Sequence, residues 1–147
     1  MTKVNVEFPD KFVFSTKLEV RINEINYGNH LGNDSVLSLV QEARIRFFRK
    51  LGFESELLIA PIGIILADAA IVFKAESIWG DKLNISIGLS GFTKSSLEMY
   101  YKFENVKTGK LVAKVKTGIV FFDYDRRKIT KIPDFFMKSY NSFLQSI

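Results

Sequence analysis

The chain of 147 residues carries one histidine, His30, and no cysteine. A thiolate nucleophile, a disulfide, an iron–sulfur cluster and a metal site built on several imidazoles or thiolates are therefore excluded. Proton transfer falls to His30 and the carboxylates. His30 sits in a polar stretch, Asn23–Gly32, that also holds Asn26, Tyr27, Gly28 and Asn29. The amide of Asn26 cannot accept a proton at neutral pH or form an anhydride, but it can orient a water or hydrogen-bond a carbonyl. Downstream, Glu42 is the one acid inside the long helical pattern, where it is either a base or an i,i+4 partner of Arg46. Asp34 is an N-cap or a catalytic acid. A lone histidine in such a loop either reacts or fixes the loop by hydrogen bonding a backbone group.

The elements around these residues follow from the spacing of apolar side chains. Residues 14–22 alternate and predict a strand with Leu18, Val20 and Ile22 on one face. Residues 23–32, with two glycines, predict a loop. From Ser35 the period becomes helical, with Val36, Leu39, Val40, Ala43, Phe47 and Leu51 on one face. Asn33 or Asp34 is the expected N-cap, and Gly52 the stop. Gly32 and Asn33 stand where the first, unpaired N–H groups of the helix could meet an oxyanion. Further strands are expected at 62–75, 82–90, 95–105 and 111–124, with a hairpin loop at Thr108-Gly109 and turns at Gly80-Asp81 and 123–127. Pro133 opens a short helix, 134–145, with Phe135, Phe136, Tyr140 and Phe143 available for docking. One long helix against five or six mostly antiparallel strands is an α+β layer arrangement in a single domain.

Composition bounds the function. With 47% apolar and 25% charged residues the chain can build a core. The longest apolar run, residues 57–67, is broken by Pro61 and falls short of the roughly 20 residues that span a bilayer. No signal-type segment opens the chain, so a cytoplasmic protein without a membrane partner is expected. The net charge of +5 gathers at Arg44, Arg46, Arg49 and Lys50, and again at Arg126, Arg127, Lys128 and Lys131. A solvated surface explains both clusters, and a small polyanion such as a nucleotide phosphate is the functional alternative. Aromatics do not interleave with the basic residues as a nucleic-acid surface requires, so no nucleic-acid partner is expected. Neither a phosphate-loop nor a dinucleotide motif is present, and no metal or cofactor is implied.

Several segments together resemble the hot-dog acyl-CoA thioesterases of the 4-hydroxybenzoyl-CoA thioesterase type. They are the loop Glu24 to Asn33, Gln41-Glu42-Ala43-Arg44 on the helix, the turn Gly80-Asp81-Lys82-Leu83, and Lys131-Ile132-Pro133. The resemblance runs from about Phe14 to Pro133. It implies a hot-dog fold, a curved antiparallel sheet wrapped around one long central helix, with a short C-terminal helix following. It implies hydrolysis of an acyl-CoA to free acid and CoA without a cofactor, in a homodimer or homotetramer with sites between subunits. Asn26, His30 and Glu42 become the implied catalytic residues, and Tyr27, Gly32 and Asn33 the implied substrate contacts. The spacing from His30 to Glu42 is similar to that in the related plant acyl-carrier-protein thioesterases. Many relatives carry an aspartate where this chain has Asn26, which moves position 26 from proton acceptor to hydrogen-bonding group. Arg126, Arg127, Lys128, Lys82 and Lys94 are the candidates for CoA phosphates. The alternatives are a hot-dog hydratase or dehydratase, and a catalytically silent acyl-CoA-binding module.

Overall fold

The computed structural model describes residues 1–147. In chain order it contains β1 (Phe14–Glu19), a 3-10 turn (Ile22–Glu24), α1 (Asn33–Leu51), β2 (Ile62–Phe73), β3 (Lys82–Ser90), β4 (Ser96–Asn105), β5 (Leu111–Asp123), β6 (Lys128–Ile129) and α2 (Asp134–Ser146). The sheet order is β1-β3-β4-β5-β2, with the short β6 beside the end of β5, and every pairing is antiparallel. This is the hot-dog arrangement that the resemblance implies, with six strands and two helices.

The helix lies on the sheet through its apolar stripe. Val36, Leu39, Val40, Ala43 and Phe47 are buried in one cluster with Leu83, Ile85, Ile87, Met99, Tyr101 and Phe121 of the strands. Each large side chain so buried stabilises by about 1.5–3 kcal/mol. Then α2 folds back over the C-terminal half of α1. Phe136, Tyr140 and Phe143 are buried, and Phe47, Phe48, Phe53 and Phe121 meet them edge-on or stacked. At the edge strand β2 the register slips between Leu66 and Asp68, leaving Ala67 as a bulge. There the Asp68 carboxylate accepts the Gly118 N–H at 2.9 Å and Lys116 at 2.8 Å. The hydrogen bond from Lys116 holds the Asp68 carboxyl below its usual range.

Strand β2 ends at Phe73 rather than at residue 75, and two boundaries at the start of the fold also differ from expectation. The first strand ends at Glu19, and Ile22 is exposed in the 3-10 turn rather than on the strand's inner face. Helix α1 begins at Asn33, with Gly32 as its N-cap and no side-chain cap bond. Neither Asn33 nor Asp34 caps it, because both already lie inside the first turn. A Cβ at residue 32 would stand 2.6 Å from Asp34 Oδ1, so glycine is what lets that carboxylate lie beside the helix entrance.

Candidate active site

A tight turn presents the loop. The Asn26 N–H donates to the His30 carbonyl at 3.0 Å, and Asn29 takes a left-handed conformation (φ 65°) that asparagine tolerates. The Asn26 side chain closes the turn from inside: Oδ1 accepts the N–H of Gly28 at 2.9 Å and, more weakly, that of His30 at 3.4 Å. Because both partners are donors, the oxygen must face them, and the Nδ2 donors of Asn26 have no partner within the chain. The His30 ring is close by. A Cβ at Gly28 would meet His30 Nε2 at 3.1 Å and Asn26 Oδ1 at 3.2 Å, so residue 28 leaves room only for hydrogen. The other ring nitrogen, Nδ1, makes just a long contact of 3.5 Å to the Leu31 carbonyl.

The loop is stapled to the segment that follows β2. The Leu31 N–H donates to the Ser77 carbonyl at 2.6 Å, and Ser77 Oγ donates to Asp81. Glu76, one residue before Ser77, is thereby brought to the same cleft as His30, one residue before Leu31. This cleft of about 440 Å³ has Asn26, His30 and Asn33 on one wall, Lys74 and Glu76 on another, and Val36 and Val112 among its apolar residues. The Glu76 carboxylate is exposed and makes no ion pair or hydrogen bond within the chain. At the start of α1, where Asn33 lines the cleft, the backbone N–H groups of Asn33 and Asp34 have no acceptor, while that of Ser35 is bonded to Gly32. They are the open end of the α1 dipole.

The cleft thus gathers Asn26, His30 and Asn33 of the residues expected from sequence. Gly32 adjoins it, but its own N–H is taken by the Glu24 carbonyl at 3.0 Å, so the free donors lie one and two residues later. Tyr27 is fully exposed and lines no cleft with them. Glu42 lies elsewhere. Its carboxylate binds Arg46 Nε at 2.8 Å, and Arg46 continues to Thr16 Oγ1 and the Lys17 carbonyl of β1, at the sheet edge opposite β2. Glu76 is not among the residues expected from sequence. Its available signal was a carboxylate directly after the long apolar run of β2 and just before the Gly80-Asp81 turn.

A second cleft of about 520 Å³ opens between α1 and β2, lined by Leu37, Ile65 and Leu66 with Gln41, Arg44 and Glu56. Arg44 is not part of a solvated basic face. Its side chain is 2% exposed and pairs with Glu56 through Nε at 2.5 Å and with the Tyr101 hydroxyl through Nη1 at 3.0 Å. Tyr101 in turn shares a hydrogen bond with Thr117 at 2.9 Å. Burial works against the Arg44 charge, but Tyr101 and Glu56 outweigh it and hold the guanidinium above its ordinary value. Burial likewise pushes the Tyr101 phenol up.

The model of the thioesterase-like superfamily matches residues 20–139, and the chain belongs to that superfamily. Compared with curated proteins by sequence, it matches none significantly. Its fold is similar to that of a 1,4-dihydroxy-2-naphthoyl-CoA thioesterase from Synechocystis, at a TM-score of 0.77 and 15% identity, covering 91% of this chain and 96% of that one. It is similar to a Staphylococcus aureus protein solved in complex with CoA (TM-score 0.80, 12% identity, covering 96% and 89%). It is also similar to the 12:0-ACP thioesterase from Umbellularia californica (TM-score 0.76, 14% identity, covering 88% of this chain and 50% of that one). No helix is long and apolar enough to cross a membrane.

Proposed function

We propose that the protein hydrolyses an acyl-CoA thioester to free acid and CoA by direct attack of water. The observation that carries this reading is the single cleft lined by an unpartnered carboxylate, an imidazole and a free amide donor, with the unpaired N–H groups that open α1 beginning at its residue Asn33. Thioester hydrolysis needs an acceptor for the proton of water, donors for the oxyanion, and a route for the proton to the departing sulfur. Glu76 accepts the proton as the water oxygen bonds to the thioester carbon. The Asn26 Nδ2–H and the N–H groups of Asn33 and Asp34 hold the oxyanion. As the carbon–sulfur bond breaks, His30 relays the proton to sulfur. Gly32 contributes by having no side chain where the Asp34 carboxylate lies beside the helix entrance. In this reading the catalytic carboxylate is Glu76, and Glu42 holds Arg46 against β1 instead.

Asn26 takes part through one end of its amide only. Its oxygen is committed to the turn, so its contribution to the reaction is the Nδ2 donor. Asn26→Asp keeps the acceptor that closes the turn, removes the donor and places a second carboxylate in a cleft that already has Glu76. The expected result is a loss of kcat of about 10²-fold with an unchanged melting temperature. Single-turnover hydrolysis in heavy-oxygen water should put the label into the product acid and none into the protein. An acyl-enzyme trapped at residue 26, or full activity in the Asn26→Asp variant, contradicts the donor role.

The same reading expects a homodimer or homotetramer. Strand β2 is an unpaired edge with exposed Ile65, Leu66 and Phe73, an arrangement that invites pairing with a second copy. Tyr27, fully exposed in one chain, is available to such a neighbour or to substrate. Light scattering at micromolar concentration should give at least the dimer mass, and a monomer mass contradicts it.

A further inference from the structure

The active-site cleft opens onto a second hollow of about 390 Å³, with which it shares Glu76 and Val112. That hollow is built on the β4–β5 hairpin. Asn105 Oδ1 accepts the N–H groups of Lys107 at 2.9 Å and Thr108 at 3.1 Å, and Gly109 turns the chain with φ 73°. The turn fixes Lys107 and Lys110 on the wall of the hollow. Lys74 stands at the boundary between the two clefts, its N–H bonded to the Val112 carbonyl at 2.8 Å. Lys82 begins β3 at the same end, its carbonyl accepting the Val106 N–H at 2.9 Å. None of these four ammonium groups has a carboxylate partner, whereas Lys102 and Lys116 on the sheet do. Of the two acids in the hollow, Asp81 is occupied by Ser77 and the Ile78 N–H, and Glu76 belongs equally to the catalytic cleft.

We infer that Lys107 and Lys110 on the β4–β5 hairpin, with Lys74 and Lys82 beside them, form a phosphate-binding rim for the adenosine 3′,5′-bisphosphate end of a CoA thioester. The inference rests on the thioesterase reading for its substrate. CoA carries its reactive sulfur at one end of a neutral pantetheine arm and its phosphates at the other. A thioester held between Asn26, His30 and Glu76 therefore needs cations along the path by which the arm leaves the cleft, and the hollow that adjoins the cleft at Glu76 and Val112 carries Lys107 and Lys110 on its wall. The other basic candidates do not meet this condition within one chain. Arg126, Arg127, Lys128 and Lys94 lie at the far end of the sheet, about 36 Å away along β5 at 3.3 Å per residue. There Arg126 pairs with Asp123, and Arg127 lies over Phe122 and Tyr124.

The test is the charge reversal Lys107→Glu/Lys110→Glu, read against one acyl group carried on CoA and on pantetheine. The expected result is a KM for the acyl-CoA raised by about tenfold or more, kcat retained, and the pantetheine thioester unaffected. Calorimetry with adenosine 3′,5′-bisphosphate itself should show binding to the native protein and its loss in the variant. Unchanged KM for acyl-CoA together with unchanged bisphosphate binding overturns the rim and leaves the hydrolase reading intact. So does a variant impaired only toward a thioester of a carrier protein, or impaired equally toward the pantetheine thioester. Bisphosphate binding that the reversal abolishes, in a native protein that hydrolyses no thioester, supports the rim and overturns the hydrolase reading.

Discussion

Replacing Glu76 by Gln is expected to lower kcat for thioester hydrolysis by about 10²–10⁴-fold, the usual contribution of a positioned general base. Gln is nearly isosteric, and the side chain it replaces makes no bond within the chain, so the melting temperature should not change. Glu42→Gln is the matching control. It breaks an exposed i,i+4 pair, with Glu42 51% and Arg46 41% exposed, which is worth only about 0.3–0.5 kcal/mol of stability and should leave kcat untouched. Measured side by side, the two variants separate the carboxylate in the cleft from the one on the helix. The reverse pattern, full activity in the Glu76 variant and a large loss in the Glu42 variant, would return the base to α1.

The largest effect on stability is expected at Glu56. Glu56→Ala leaves the Arg44 guanidinium, 2% exposed, without its counter-charge. Removing one partner of a buried pair is costly because the other charge remains desolvated, and a value of about 3 kcal/mol is expected here. For a chain of this size that lowers the melting temperature by roughly 10 °C. The double variant Arg44→Met/Glu56→Leu removes both charges and fills the space, so most of the loss should return. Calorimetric melting of the three proteins checks this. A double variant no more stable than Glu56→Ala would mean that the hydrogen bonds to Tyr101 and Gln41, rather than the unpaired charge, set the cost.

The fold was legible in the sequence because its periods are clean. Leu83, Ile85, Ile87 and Leu89 alternate, Val36 through Leu51 repeat at helical spacing, and both patterns end at glycines or turns. The start of α1 was less legible. Asn33 and Asp34 are good capping types, yet the chain enters through Gly32, because the Gly32 N–H is already held by Glu24 and the turn Asn26–His30 dictates the approach. Asn26, His30 and Asn33 are readable as candidate site residues because they share one short loop. Glu76 is not, because nothing local ties it to His30; the link is the hydrogen bond from Leu31 to Ser77, 46 residues apart in sequence. Arg44 misled for the same reason. In the sequence it continues a basic run, and only tertiary structure brings Glu56 and Tyr101 to it.

Hydrolysis of CoA thioesters in this cleft is tested most directly by release of free thiol from a panel of acyl-CoAs, followed with a thiol reagent for the native protein and the Glu76→Gln and Glu42→Gln variants. Catalytic thiol release is expected from at least one acyl-CoA, lowered about 10²–10⁴-fold in the Glu76 variant and retained in the Glu42 variant. Tight binding of acyl-CoAs with no thiol released from any of them, or loss of an enoyl absorbance in place of thiol release, would contradict it.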